Sequence, residues 1–334
     1  MIYSASSLRR FQTGLTLVEL MIAMLLGLIV IGGVGTVVIA NGEAYRTNEG
    51  LSQTQESIRT AFELLARDIR EAGATGCGNA TVTNVLNSGA EDWLGSWDGV
   101  RGYDSGTPLP AAFGIGNRIA GTDAILLQGI AGTGHNVVSH STGAGGDAAN
   151  FQINSPTDRI NDGDILLVCD TTRAVIFQTT NYNNATPAVV FDTGGSESPG
   201  NCSKYLNPPA VAGACGGGNP NPPFEQNAQI AALAATVWYV GDNGRPQEGG
   251  RSLFRRRIGD ANAEEVVPGI TDMQLSFRAN NTAASFVANP ANWRNVTAVE
   301  VTLTAVSIND RVSVDNGRLQ RQFTTVVGLR NRVP

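Results

Sequence analysis

Hydrophobic spacing changes its period along the first part of the chain. From Leu15 to Ala40 the sequence LTLVELMIAMLLGLIVIGGVGTVVIA runs for 26 residues with one charge, Glu19. A helix of about 20 apolar residues crosses a bilayer, so this run predicts a membrane-spanning helix. Beyond Ala40 the pattern turns amphipathic. Leu51, Ile58, Phe62, Leu65 and Ile69 recur at helical spacing, with Gln53, Gln55, Arg59, Glu63 and Arg67 on the other face. Gly73 ends the pattern, with Gly76 and Gly78 beyond it. The spacing predicts one helix from Leu15 to Ala72, about 87 Å long. Its apolar half suits a membrane, and its amphipathic half suits a globular head. Gly27, Gly32, Gly33 and Gly35 interrupt the apolar half. They read equally well as ordinary membrane-helix glycines or as a stretch able to unwind on packing.

The remainder reads as strands and loops. Asp123–Gly129 is a short apolar burst of a buried strand, and Asp164–Cys169 with Ala174–Thr179 forms a hairpin around Asp170–Arg173. Asn201–Pro223 is crowded with Pro and Gly and reads as a loop. Longer strands follow at Thr236–Val240, Ser252–Ile258, Ile270–Phe277, Val296–Val306 and Leu319–Leu329, with Asn243-Gly244 as a hairpin turn between the first two. Val299, Val301, Leu303 and Ala305 alternate with Glu300, Thr302 and Thr304, the mark of an antiparallel strand buried on one face. One long helix followed by strands, without βαβ alternation, predicts an α+β fold: the helix packed on an antiparallel β-sheet head with a large loop-rich insertion.

Charge around the apolar run sets its orientation. Arg9 and Arg10 precede it and the first acid after it is Glu43, so the N-terminus is expected in the cytoplasm and the head outside. A secretory signal peptide has a shorter apolar core, although Val38-Ile39-Ala40 offers a cleavage site. Twin-arginine export could use Arg9-Arg10-Phe11, and a lipoprotein needs a cysteine after the run, whereas the first one is Cys77. Glu19 fits none of these, and a carboxylate inside a membrane segment usually has a function and a partner.

Gly14-Leu15-Thr16-Leu17-Val18-Glu19-Leu20 resembles the type IV prepilin processing site, in which a basic leader ends in Gly and a Glu lies five residues past the cut. The resemblance implies cleavage by prepilin peptidase between Gly14 and Leu15, N-methylation of Leu15, and a charge-pairing role for Glu19 in assembly. Leu15 stands where the family usually has Phe or Met. The implied organisation is a cytoplasmic leader 1–14, a transmembrane and filament-core helix 15–40, its amphipathic continuation 41–72, and a periplasmic β-rich head 73–334. Blocks of the C-terminal third resemble PilW-type minor pilins: Ile270–Phe277, Asn295–Leu303, Arg321–Val327 and Leu329–Arg332. So does Gly163–Val168 leading to Phe177-Gln178. The related type II secretion minor pseudopilins share the helix and the head design, usually with shorter heads.

The four cysteines, Cys77, Cys169, Cys202 and Cys215, suit an oxidising periplasm and two disulfides. Cys202 and Cys215 flank the Pro/Gly loop, and pairing them leaves Cys77 for Cys169. No C-x-x-C occurs, which argues against a zinc ribbon or a redox motif.

A formal charge of −6 argues against non-specific duplex binding, and no specific nucleic-acid site is evident. Arg255-Arg256-Arg257 would alternate across a strand and reads as a solvated edge. His135 and His140 lie in a Gly-rich stretch and read as solvated loop histidines. Asp158, Asp162 and Asp164 lack the spacing of a calcium loop. No G-x-S-x-G, H-E-x-x-H or P-loop occurs, so the expectation is no enzyme, no metal and no cofactor. The resemblance implies a subunit that enters the inner membrane and then the pilus. Its partners would be prepilin peptidase, other minor pilins, the major pilin and a tip adhesin. The alternatives are a type II secretion pseudopilin and a secreted enzyme.

Overall fold

The computed structural model describes residues 14, 16–78, 81–87, 92–206, 222–279, 285–310, 312 and 317–332. The first element is α1, Leu17–Glu71, 55 residues and about 82 Å of helix. It runs unbroken through Gly27, Gly32, Gly33 and Gly35. Thr16 is the N-cap, its Oγ1 accepting the Glu19 N–H at 3.3 Å. The Ala72 N–H closes the last turn onto the Ile69 carbonyl, and Gly73 leaves the helix at a positive φ that favours glycine.

The helix is gripped by the head over its second part only. Burial begins at Gly50 and returns at Thr54, Ile58, Ala61, Leu65 and Ile69, a stripe at helical spacing. Leu51 and Phe62, expected in this stripe, are half-buried at its margin. The grip starts at Thr47, whose hydroxyl donates to the Val312 carbonyl at 2.8 Å. A Cβ on Gly50 would lie 2.4 Å from Val312 Cγ1, so glycine is what lets this loop close on the helix. The residues just past Ala40 are exposed: Asn41, Glu43 and Arg46 are polar, and Tyr45 is 70% exposed.

Fourteen described strands build the head. They are β1 Thr81–Asn84, β2 Val100–Tyr103, β3 Ala124–Ser141, β4 Asn150–Ile153, β5 Ile165–Cys169, β6 Arg173–Gln178 and β7 Asn181–Asn183. The series continues with β8 Ala188–Val190, β9 Gln229–Asp242, β10 Arg251–Arg257, β11 Glu264–Pro268, β12 Ile270–Ala279, β13 Val296–Val306 and β14 Gln320–Gly328. The larger sheet runs β1-β6-β5-β9-β3-β4-β8-β7, with β2 on β3 and β10 linking β9 to β11. The smaller one is β12-β13-β14. All pairings are antiparallel except β1 with β6. The protein is therefore α+β, a long helix packed on a mostly antiparallel head.

Both sheets turn apolar faces to α1. Ile58, Leu65 and Ile69 share one core with Trp238 and Val240 of β9 and with Val299, Val301 and Leu303 of β13. Burying such side chains stabilises the docking by about 1.5–3 kcal/mol each. Asp123 joins the sheets, its N–H donating to the Met273 carbonyl and its Oδ2 accepting the Leu275 N–H, both at 2.8 Å. Burial pushes the Asp123 carboxyl up from its ordinary range, against the pull of that hydrogen bond.

The β5–β6 hairpin and β12, β13 and β14 lie where the hydrophobic pattern places them. Three expectations are corrected. The strand read as Asp123–Gly129 continues to Ser141, because Gly132 and Gly134 make a bulge at positive φ instead of a terminus. His135 and His140 are therefore strand residues. Strand β10 is internal, paired with β9 and with β11, whose Glu264-Glu265 hid it from a hydrophobic reading. The Asn243-Gly244 turn belongs to a longer connection, containing a 3-10 turn at Pro246–Glu248.

Candidate functional site

Polarity along α1 divides the molecule into a bare end and a held end. Every large apolar side chain described from Leu17 to Ile39 is 47–76% exposed. The most apolar eighteen-residue window of the helix has a mean hydropathy of 2.6, and none of it is buried. Water cannot be the natural neighbour of so much contiguous apolar surface; a bilayer or other helices must cover it. Cβ atoms built on Gly27, Gly32, Gly33 and Gly35 meet nothing within 4 Å, so no contact within the chain requires glycine there.

Gly14 is exposed and non-helical, two residues before the N-cap, and Leu15 lies outside the described residues. Glu19 is exposed in the first turn, where a carboxylate complements the helix dipole. The Thr16 hydroxyl reaches Glu19 Oε2 at 3.5 Å while accepting the Glu19 N–H. This pair is close to the capping-box pattern T-x-x-E, legible in Thr16–Glu19 but not singled out by the sequence reading.

At the held end, residues that carried no sequence signal do the joining. Asp68 Oδ2 accepts the Trp238 indole N–H at 2.9 Å and lies 3.7 Å from the Arg255 guanidinium. Arg255 also pairs with Glu264 at 2.7 Å and sits over the Trp238 ring. The arginine run is thus spent on the helix–sheet contact, at least at Arg255. The buried Gln128 accepts the Asp98 and Gly99 N–H groups at 2.9 and 3.0 Å, while its own carbonyl accepts from Gly73. Arg332 donates to the carbonyls of Trp293, Val296 and Asp98, and burial pushes its guanidinium down to about 10.

Cys77, just past the helix, is disulfide-bonded to Cys169 at the end of β5, with Cα atoms 5.9 Å apart. Cys202 is also in a disulfide, and Cys215 lies outside the described residues. The aspartates near Gly163 brace loops: Asp162 accepts the Tyr182 N–H and Asp164 the Asn161 N–H. Among the described residues no three His, Cys, Asp or Glu side chains gather as metal ligands.

His140 departs furthest from expectation. It stacks on Phe151 with ring centroids 4.3 Å apart, and its Nδ1 accepts the Phe224 N–H at 2.9 Å. Burial, with the nearby Arg173 charge second, pushes the imidazole down to about 4. Between pH 6.5 and about 4 the unfolded chain binds a proton there that the native chain does not, so stability falls as pH falls through that window. After discounting for partial exposure, the loss is about 2 kcal/mol. His140→Phe should flatten this part of the profile, checked by urea unfolding at pH 7 and pH 4.5. Equal pH sensitivity in parent and variant would show that other groups carry it.

Comparison with known families places the prokaryotic N-terminal methylation motif on residues 9–35. No curated protein and no solved structure matches the chain. The motif, the bare apolar helix and the sheet-rich head together support a type IV pilin-like protein, a class that includes pilins and pseudopilins. For such a chain the motif implies processing by a prepilin peptidase, membrane anchoring by the helix with the head outside, and assembly with other pilin-type subunits.

Proposed function

We propose that this chain is a minor pilin of a type IV pilus, of the PilW type, and that it acts by assembly rather than by catalysis. Prepilin peptidase would remove Met1–Gly14 at the inner membrane, with the N-terminus cytoplasmic and the head periplasmic. The chain would then join other minor pilins beneath a tip adhesin, help to initiate the filament of major pilin, and so support twitching motility or adhesion.

The observation that carries this reading is the division of α1: residues 17–39 bare, residues 50–71 held by the head. A plain anchor needs only the bilayer. A filament subunit needs an apolar helix projecting rigidly from a folded head, able to leave lipid for a bundle of like helices. The blocks that resemble PilW-type pilins supply β12, β13 and β14, one of the two sheets against which the helix packs.

Mass spectrometry of the membrane-extracted protein tests the processing step. The expected chain starts at Leu15, carries a methylated amine, and has lost two arginines and no acid, moving the formal charge from −6 to −8. Gly14→Ala should process partly, and a bulky residue there should block cleavage. A chain starting at Asn41 would overturn the reading. Deleting the gene should abolish surface pili; intact pili with lost protein secretion would assign the chain to a type II secretion system.

A further inference from the structure

The head treats the two edges of its smaller sheet differently. On β12 outward peptide groups are occupied at Thr271, Met273, Leu275 and Phe277. The Met273 carbonyl accepts from Asp123, the Leu275 N–H donates to the Asp123 carboxyl, and Phe277 exchanges two hydrogen bonds with Val287, all at 2.8–2.9 Å. The edge of β11 in the larger sheet is guarded another way, by Glu264, Glu265, Pro268 and a register shift against β10.

Strand β14 has neither protection. The Ser307 N–H donates to the Leu319 carbonyl at 2.8 Å and the Leu329 N–H to the Thr297 carbonyl at 2.9 Å. Between these bonds the register with β13 runs from Val306–Gln320 to Ala298–Gly328 without a shift. In an antiparallel ladder this parity turns the peptide groups of Gln320, Gln322, Thr324, Val326 and Gly328 away from β13. None of the main-chain N–H or C=O groups of those five is hydrogen-bonded among the described residues, although the Thr324 hydroxyl meets that of Thr302 at 2.9 Å. The strand contains no proline and a single charge, Arg321, at its start. Phe323 is 38% exposed on the face shared with core residue Leu303, and Val326 is 52% exposed on the other face.

The open edge also lies along the helix. The loop before β14 holds Val312 against Thr47 and Gly50, and the Arg330 N–H just after it donates to the Arg70 carbonyl at 3.2 Å. Strand β14 therefore runs in the direction of α1, over about 30 Å of its held half.

We propose that the open edge of β14, Gln320–Gly328, takes an extended segment of a neighbouring pilin-type subunit as a fourth strand of this sheet. The inference rests on the assembly reading above. Two subunits anchored in one membrane by the same kind of helix stand side by side with their heads at the same height, which puts the neighbour's head within reach of this edge. Main-chain hydrogen bonds supply the attraction, as in other cases of strand addition, and the side chains set the choice of segment. It must carry an apolar residue beside Phe323, a β-branched one beside Val326, and an acid or amide beside Arg321.

The test uses the full chain in its own bacterium. Thr324→Pro and Val326→Pro remove outward N–H groups and leave the main-chain bonds to β13 in place, Thr324→Pro also losing the hydroxyl contact with Thr302. Both should accumulate and be processed like the parent, while their share in sheared surface filaments falls about tenfold, the scale of losing a main-chain hydrogen bond at an interface and blocking its neighbours. A photo-crosslinking residue at Val326 should trap a second subunit with a methylated N-terminus, and the same residue at Thr302 of β13 should not. If the proline variants fail to accumulate, Val326→Lys, which guards the edge with charge and leaves the backbone free, decides by the same readouts. Edge variants that accumulate and assemble like the parent, or equal trapping from Thr302, overturn the proposal. The pilin reading fails separately, if a strain lacking the chain keeps both its pili and its protein secretion.

Discussion

Glu19→Ala should leave the chain inserted, folded and cleaved, yet nearly absent from filaments. The head does not touch this residue: Glu19 is exposed, and its described contacts are both with Thr16. Before cleavage it lies a turn from the cytoplasmic end of the apolar helix, where a carboxylate can reach the interface. Cleavage then leaves a new amine at Leu15, four residues before Glu19. In an apolar bundle of helices the carboxylate needs a cation, and the amine of an adjoining subunit is the partner the prepilin resemblance implies. Stranding one member of a charge pair in low dielectric costs about 3–5 kcal/mol, enough to exclude a subunit from the assembly. Because Thr16 Oγ1 still caps the Glu19 N–H, alanine should cost the isolated helix little. The measurement is complementation of a deletion strain, scoring surface pili together with the processed protein in the membrane. Normal piliation by Glu19→Ala would rule out charge pairing.

Removing the link between Cys77 and Cys169 should have the largest effect on the head itself. The two are 92 positions apart, and one follows directly on α1 while the other ends a central strand. Closing a loop of that length restricts the unfolded chain by about 4.6 kcal/mol in the chain-entropy view. Cys77→Ala with Cys169→Ala avoids leaving a free thiol or a buried hydroxyl at Cys169, which is fully buried. The double variant should unfold at markedly lower urea than the detergent-solubilised parent, and protease should cut between Gly73 and Cys77 first. That segment would then be held by the Gly73 N–H bond to Gln128, the Ala74 N–H bond to Glu71 and the burial of Thr75. An unchanged midpoint would mean that the unfolded chain is already compact between these cysteines.

How much could be read in advance depends on the range of the interaction. Glu19 and the run around it needed no fold, because a bilayer acts on each residue of a helix independently of distant chain. The same holds for β13, whose alternating Val299, Val301, Leu303 and Ala305 record a single buried face. Such signals are local and periodic, and they determined the helix, its bare half and the β-rich head.

The tertiary structure decided what depends on two distant segments meeting. Asp68 reads as one more polar residue on an amphipathic helix until the fold brings Trp238 and Arg255 to it. His140 reads as a loop histidine until a glycine bulge extends β3 and sets it among Phe151, Phe191 and Phe224. Strand β10 reads as an edge until the acidic β11 pairs with it. The open side of β14 belongs with these. Its residues announce a strand, but which of its peptide groups lack a partner follows from the register with β13 alone. Side-chain pattern records which face of a strand is buried; it carries no record of which edge is paired, because every residue brings the same N–H and C=O to the ladder.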